Sequence, residues 1–236
     1  MNLARYVFSE PYIDWLLLGA GNTLLISFLS GATALLLGTA VALAGYGRYG
    51  RKFLASLFTD VFRNIPPVPM LLLLSYSLPA LTRELLGITF PAGMEFSLVV
   101  VGLSLNTGAY VSELVRSGLR AVPSEQYEAG VTLGLGRCRT LLKVVLPQAL
   151  RIAFPGLSTR IIHNMKNSSV ALVLPLNLHR MELMGQSGRI AGQTFAWAEP
   201  LVFSTAVYLI LAILVSLCLS SIGKRLSGKA GVSELE

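Results

Sequence analysis

Charge is what this sequence has least of. Only 13% of its 236 residues are Asp, Glu, Lys or Arg, against about 25% in soluble globular proteins. With its long uncharged runs, that deficit argues against a water-soluble domain and for a polytopic membrane protein. Cysteine is scarce too. Cys138 and Cys218 stand far apart and form neither a disulfide framework nor a metal-ligand spacing. No G-x-x-x-x-G-K-[ST] occurs: Gly223-Lys224 and Gly228-Lys229 are followed by Arg225 and Ala230. H-E-x-x-H and G-x-S-x-G are missing as well. The chain therefore has no phosphate-cradling loop and no recognisable hydrolytic site, so any ATP-driven process needs a partner, and the chain is not expected to be an enzyme. Gly45 to Gly50 fits G-x-G-x-x-G, but no strand precedes it and an apolar span does. With Arg48, Arg51 and Lys52 it reads as a basic turn.

What is present is long apolar segments. Residues 1–14, with Arg5, Glu10 and Asp14 and the aromatics Tyr6, Tyr12 and Trp15 nearby, read as an interfacial lead-in. They lack the basic start and short apolar core of a cleaved signal and are expected to be retained. Trp15 to Gly47 is uncharged over 33 residues, more than the roughly 20 a span needs. Ala34, Gly38 and Ala42 in this run have the small-residue spacing that lets helices approach closely. Asn64 to Thr82 is uncharged over 19 residues, and Pro66, Pro67 and Pro69 are expected to break or kink it. Leu78 to Glu95 reads as an outside loop. A third span starts near Phe96 and holds Asn106, Tyr110 and Glu113. Glu113 and Arg116 are i,i+3 neighbours placed to pair on one helix face. The fourth span carries Arg151, Arg160, His163 and Lys166, with Pro155-Gly156 to loosen it. At about 100° per residue, Arg160 lies opposite Arg151. Leu176 to Glu199 is mixed and reads as a short external helix. Pro200 to Gly223 is uncharged over 24 residues.

The expected fold is an all-α membrane protein of five transmembrane helices, at about 15–46, 54–80, 96–120, 146–175 and 200–223, forming a single domain over residues 1–236. With the N-terminus outside and the C-terminus inside, the inner segments hold Arg48, Arg51, Lys52, Arg116, Arg120, Arg137, Arg139, Lys143, Lys224, Arg225 and Lys229. The outer ones hold Arg5, Arg83, Arg180 and Arg189. Eleven cations against four obey the positive-inside rule. The formal charge of +7 is therefore read as topology and not as a nucleic-acid surface.

One stretch is unlike its apolar flanks: Glu128 to Pro147, within a loop spanning 124–147. Ser124 is a plausible N-cap with Glu125 in the first turn, and Gly134 and Gly136 are stops or bends. A short helix, a tight turn and a second helix entering an apolar span near Leu146 are expected. Two spans are joined by much shorter loops elsewhere, so this knob looks built to be held by another protein.

Glu128-Ala129-Gly130, Gly134 and Val144-Val145-Leu146-Pro147 resemble the "EAA" loop of binding-protein-dependent ABC importer permeases, with Gly130 for the second Ala and Val144 for Ile. Further stretches resemble the polar amino acid branch: Gly21-Asn22-Thr23-Leu24; Phe62-Arg63-Asn64-Ile65-Pro66, with Asn-Ile where Gly-Thr is usual; Gly108-Ala109-Tyr110 with Glu113, Arg116 and Gly118; and Met165 to Val170, with Ser for Thr. The resemblance implies a cytoplasmic coupling helix between spans three and four, with Glu128, Ala129, Gly130, Gly134, Leu146 and Pro147 contacting an ATPase. It also implies two ATP-binding subunits that hold ATP and Mg, a second permease subunit identical or homologous to this one, an extracytoplasmic substrate-binding protein, and residence in the bacterial inner membrane.

For the substrate pathway the candidates are Asn22, Thr23, Asn106, Tyr110, Arg160, His163, Lys166, Asn167, Ser168 and Ser169. Ionisable groups inside a membrane are functional by default. Glu113 reads as the only carboxylate well inside a span, whereas Arg160, His163 and Lys166 suit carboxylates, so an acidic or neutral polar amino acid is expected. The alternative is a self-sufficient secondary transporter or channel, which leaves the Glu128–Pro147 spacing unexplained and shows no inverted repeat.

Overall fold

The computed structural model describes residues 7–46, 49–91, 93–174 and 176–228. Arg5, Tyr6, Gly47, Arg48 and Lys229 fall outside the described residues. Among the described residues every regular element is helical: α1 (Tyr12–Ala44), α2 (Tyr49–Asn64), α3 (Pro67–Leu86), α4 (Glu95–Ala121), α5 (Ser124–Thr132), α6 (Arg137–Val173), α7 (Leu183–Thr194) and α8 (Ala198–Gly228). α1, α4, α6 and α8 are each long and apolar enough to cross a membrane, and α2 with α3, bent by 103° at their junction, is so only as a pair, which makes the spans four, or five with the pair as one broken span. At a rise of 1.5 Å per residue, the 33 residues of α1 run about 50 Å, well beyond a hydrocarbon core of about 30 Å.

α4 sits at the centre, with α1 and α6 as its main neighbours. Burial gives large aliphatics little advantage over lipid, so close packing of small residues holds these helices together. A Cβ on Gly38 of α1 would lie 2.5 Å from the Gly108 carbonyl oxygen and 2.6 Å from Val111 Cβ of α4. A Cβ on Gly118 of α4 would land on the Ala149 carbonyl of α6. Around these contacts Val111, Val115, Ala149 and Leu157 form one apolar core, and Ile26, Leu71, Val99 and Leu103 another. The expected Glu113–Arg116 pair is present at 3.8 Å, and Arg116 also donates to Thr59 Oγ1 at 3.2 Å.

The prolines break the second span where expected, at Ile65-Pro66, with Pro66 at ψ 146° and Pro67 opening α3. Leu78 to Leu86 corrects the sequence reading. It is not loop but the helical continuation of α3, closed by Gly87 at φ +68°. Within Leu176–Glu199 the expected short helix does form, as α7.

Candidate functional site

The knob is a helix-turn-helix whose turn rests on two glycines. Gly134 has φ +82° and Gly136 φ +71°, and neither has a neighbour within 4 Å of a would-be Cβ. Backbone conformation, not space, therefore demands glycine there. Leu133 N–H donates to the Ala129 carbonyl at 2.9 Å and Leu135 N–H to that of Gly130 at 3.2 Å. Gly130, the departure from the Ala pattern, has a different cause. Its Cβ would lie 2.5 Å from Cγ2 of the buried Thr140, which packs on it across the turn. Ser124 corrects the sequence reading: it is the first helical residue after Pro123, and no side chain caps α5. The second helix begins at Arg137, well before Leu146, and passes through a π-helical turn, Leu141–Val145. Tyr127 and Leu146 pack against the α4–α6 core, while Glu128, Ala129 and Pro147 are exposed. Val131, Leu133 and Leu135 put apolar side chains on the surface, Leu133 with 82% exposure.

A polar layer crosses the middle of the helices. In an unbroken helix the carbonyls of Phe62, Arg63 and Ile65 would accept from residues 66, 67 and 69. All three are proline and have no N–H to give. α4 supplies the missing donors. Asn106 Nδ2 donates to the Phe62 carbonyl at 2.9 Å and to that of Ile65 at 3.4 Å, and Tyr110 O–H donates to that of Arg63 at 3.3 Å. The same two side chains receive Arg160 of α6. Its Nη2 donates to Asn106 Oδ1 at 2.5 Å, and its guanidinium carbon stacks 3.8 Å over the Tyr110 ring. The layer continues: Thr107 Oγ1 donates to Asn164 Oδ1 at 2.8 Å, and Asn164 Nδ2 donates to Ser30 Oγ of α1 at 2.8 Å. Beside this layer lies a cavity of about 530 Å³ lined by Arg63, Tyr110, Glu113, Arg160 and His163.

The structure thus unites Asn106, Tyr110, Arg160 and His163 and sends the other candidates elsewhere. Asn22 Nδ2 donates to the carbonyls of His179 and Met181, both at 2.9 Å, and Thr23 Oγ1 accepts from Leu183 N–H at 3.1 Å. These two pin α1 to the start of α7. Lys166 is exposed, Asn167 is half-buried, and Ser168 and Ser169 bond back to the carbonyls of Met165 and Lys166. Sequence reasoning passed over Thr107 and Asn164. Asn164 lies one turn beyond Arg160 on the same face, a stripe that was there to be read.

Glu182 is the larger omission. Glu113 is not the only carboxylate held inside the protein, because Glu182 is fully buried at the start of α7. Its oxygens accept from the Met184 and Gly185 N–H groups, both at 2.7 Å, and from Tyr208 O–H of α8 at 2.6 Å. Burial pushes its pKa up to about 7 against the pull of these three donors. With both oxygens committed, Glu182 is not free to receive a cationic side chain.

Residues 13–230 match the family described as binding-protein-dependent transport system inner membrane component. The chain is similar to the arginine transport system permease protein ArtQ of Bacillus subtilis, 32% identical over 221 residues that cover 93% of this chain and 94% of that protein. It is also similar to the putative glutamine transport system permease protein GlnP of Rickettsia bellii, 29% identical over 218 residues covering 92% and 95%. Among solved structures it resembles one described as an amino acid ABC transporter with histidines, at TM-score 0.76 and 28% identity, covering 91% of this chain and 95% of that one. A methionine ABC transporter, MetNI, shares the fold at TM-score 0.72 and 20% identity. The family match runs from the first turn of α1 past the end of α8, so this chain belongs to the inner-membrane components of binding-protein-dependent transport systems.

Proposed function

We propose that this inner-membrane permease subunit moves amino acids, acidic or neutral ones, through the cavity beside Arg160, driven by separate ATP-binding subunits that grip the α5–α6 turn. The observation that carries the substrate reading is the state of Arg160. Its guanidinium is held from one side by Asn106 and Tyr110, makes no ion pair among the described residues, and keeps Nε buried without a partner. A buried charge in that state favours a carboxylate. A lysine or arginine side chain finds less to bind, since Glu113 pairs with Arg116 and Glu182 is consumed by α7 and Tyr208. The α-carboxylate common to all amino acids is the group assigned to Arg160, and the restriction to acidic or neutral ones rests on the committed state of Glu113 and Glu182.

The chain works as a single transmembrane domain over residues 1–236, N-terminus outside and C-terminus inside. A second permease subunit, identical or homologous, and an extracytoplasmic binding protein complete the assembly with two ATPase subunits. ATP and Mg²⁺ sit on the ATPases. The surface of the knob supports docking: Leu133 and its neighbours are apolar, exposed and held at fixed geometry by Gly134 and Gly136, as an interaction patch requires. A self-sufficient transporter has no use for such a surface.

The test is amino acid uptake and substrate-stimulated ATP hydrolysis by the reconstituted complex. Losing one partner of a buried charge pair costs roughly 2–5 kcal/mol, so Arg160→Ala raises the apparent Kd about 30-fold or more. Unchanged affinity for every amino acid removes Arg160 from the site. Glu128→Arg and Gly134→Pro, the latter incompatible with φ +82°, both abolish stimulation. Stimulation that survives both refutes docking through the knob.

A further inference from the structure

We propose that the groove between α6 and α8, at the end of the protein that carries the knob, binds one anionic phospholipid of the cytoplasmic leaflet. Gly223 lets the helices touch there, since a Cβ would lie 3.0 Å from Phe154 Cε1. Recesses of about 800 and 460 Å³ open at this contact, and Arg151, Phe154, Ser158, Leu219 and Leu226 line both. Both volumes fall in the roughly 300–1,000 Å³ range of small-molecule sites. The larger recess reaches from Arg151 to Ile162 along α6, about 16 Å at helical rise, or half of a hydrocarbon core of about 30 Å. It is therefore one leaflet deep.

Its chemistry is graded as a lipid is graded. Arg151 and Lys224 stand at the knob end, and neither makes an ion pair among the described residues. No described acidic side chain lines either recess. About two turns deeper along α6, Ser158 Oγ is buried without a partner. Between the cations and Ser158 the walls are Phe154, Leu157 and Leu219, and Ile161 and Ile162 lie beyond it. A phosphate between Arg151 and Lys224, with acyl chains against Phe154, Leu157 and Leu219, answers both the cations and the apolar walls. Two cations with no acidic companion favour a net-negative headgroup over a zwitterionic one. A helix from a second copy would fill the apolar part but leave both cations unanswered. The leaflet named here rests on the orientation proposed above; the lipid preference does not.

The experiment is native mass spectrometry of the intact complex, reconstituted in equimolar dioleoylphosphatidylglycerol and dioleoylphosphatidylcholine and then extracted in mild detergent. Wild type retains phosphatidylglycerol preferentially. Arg151→Gln and Lys224→Gln each weaken retention about 5-fold and together about 30-fold, while Arg83→Gln, on exposed α3, leaves it unchanged. Ser158→Leu lowers retention without altering the headgroup preference. Equal retention of the two lipids, or wild-type retention by the double variant, overturns the proposal. So does a short bis-maleimide link between copies through Ser220→Cys, in a Cys138→Ser, Cys218→Ala background, with no lipid bound: a second chain then fills the groove. Labelling of Cys138, which is exposed on the knob, by a membrane-impermeant maleimide from outside intact cells would overturn the orientation alone.

Discussion

α8 is the more apolar of two membrane helices, yet α4 is the buried one. Most of α4 lies inside the protein, whereas α8 leaves Leu209, Ile210, Ile213, Leu214 and Leu217 at its surface. In water the ranking would be the reverse. Lipid tails are as apolar as leucine, so large aliphatics gain little by leaving them. The interior goes to residues that gain from contact: glycines that bring backbones together, and polar side chains that find partners. Gly108 and Gly118 do the first in α4, and Ser104, Asn106 and Thr107 do the second. For a span in this protein, polarity marks the inside.

The sharpest break of that contrast is Gly118→Leu. Even a Cβ falls on the Ala149 carbonyl, and overpacking of this kind costs about 1–3 kcal/mol or more. We expect loss of folded protein on size exclusion, while Gly192→Ala, with nothing within 4 Å, behaves as wild type.

The next effect concerns the tie between α8 and α7, the Tyr208–Glu182 bond. Glu182 stands at about 7 in place of 4.5. Below about pH 4.5 both the closed and the opened states are protonated. Between 4.5 and 7 only the opened state ionises, so stability of the α7 cap falls as pH rises and levels off above 7. The loss is on the order of 3 kcal/mol. Protection factors of the α7 amides, taken against the intrinsic exchange rate at each pH, should fall across that window in wild type and stay level in Glu182→Gln.

Asn106→Leu tests the interior of α4. It strips the Phe62 and Ile65 carbonyls of their donor and leaves Arg160 Nη2 without Asn106 Oδ1. Buried groups left unpaired cost about 1–3 kcal/mol, measurable as a lower thermal midpoint in detergent. The smallest effect belongs to the exposed face of α8. Leu214→Ala moves apolar surface from lipid to lipid and should change that midpoint by less than about 0.5 kcal/mol equivalent. A large drop would mean that a protein surface covers this face.

Much of the fold was legible because membrane spans are set by local composition. Trp15–Gly47 and Pro200–Gly223 announce α1 and α8, and Gly134 and Gly136 announce the turn between them in the chain. The three prolines announce the break. The misses have a common form. Leu78–Leu86 reads as loop because Pro79, Arg83 and Glu84 interrupt its apolar pattern, yet the π-helical turn Leu73–Ser77 just before it lets α3 run on through Pro79. Ser124 looked like a cap, but Pro123 already holds the extended entry to α5. Glu182 falls in the mixed segment Leu176–Glu199, where nothing local marks it, and α8 folding over α7 buries it.

By itself, then, the sequence determined where the chain crosses, where it breaks and where it turns, because each depends on neighbours within about one helical turn: an N–H that proline lacks, a φ that only glycine reaches, a run with no charge to solvate. It also showed that Phe62, Arg63 and Ile65 would lose their partners. It did not say who would replace them. That Asn106 and Tyr110 do so, that Arg160 and not Lys166 then joins them, and that Asn22 and Thr23 leave the group to hold α7, was decided by the rotation and depth of α1, α4 and α6 against one another. Those are fixed by contacts such as Gly38 on Gly108 and Gly118 on Ala149, between residues far apart in the chain.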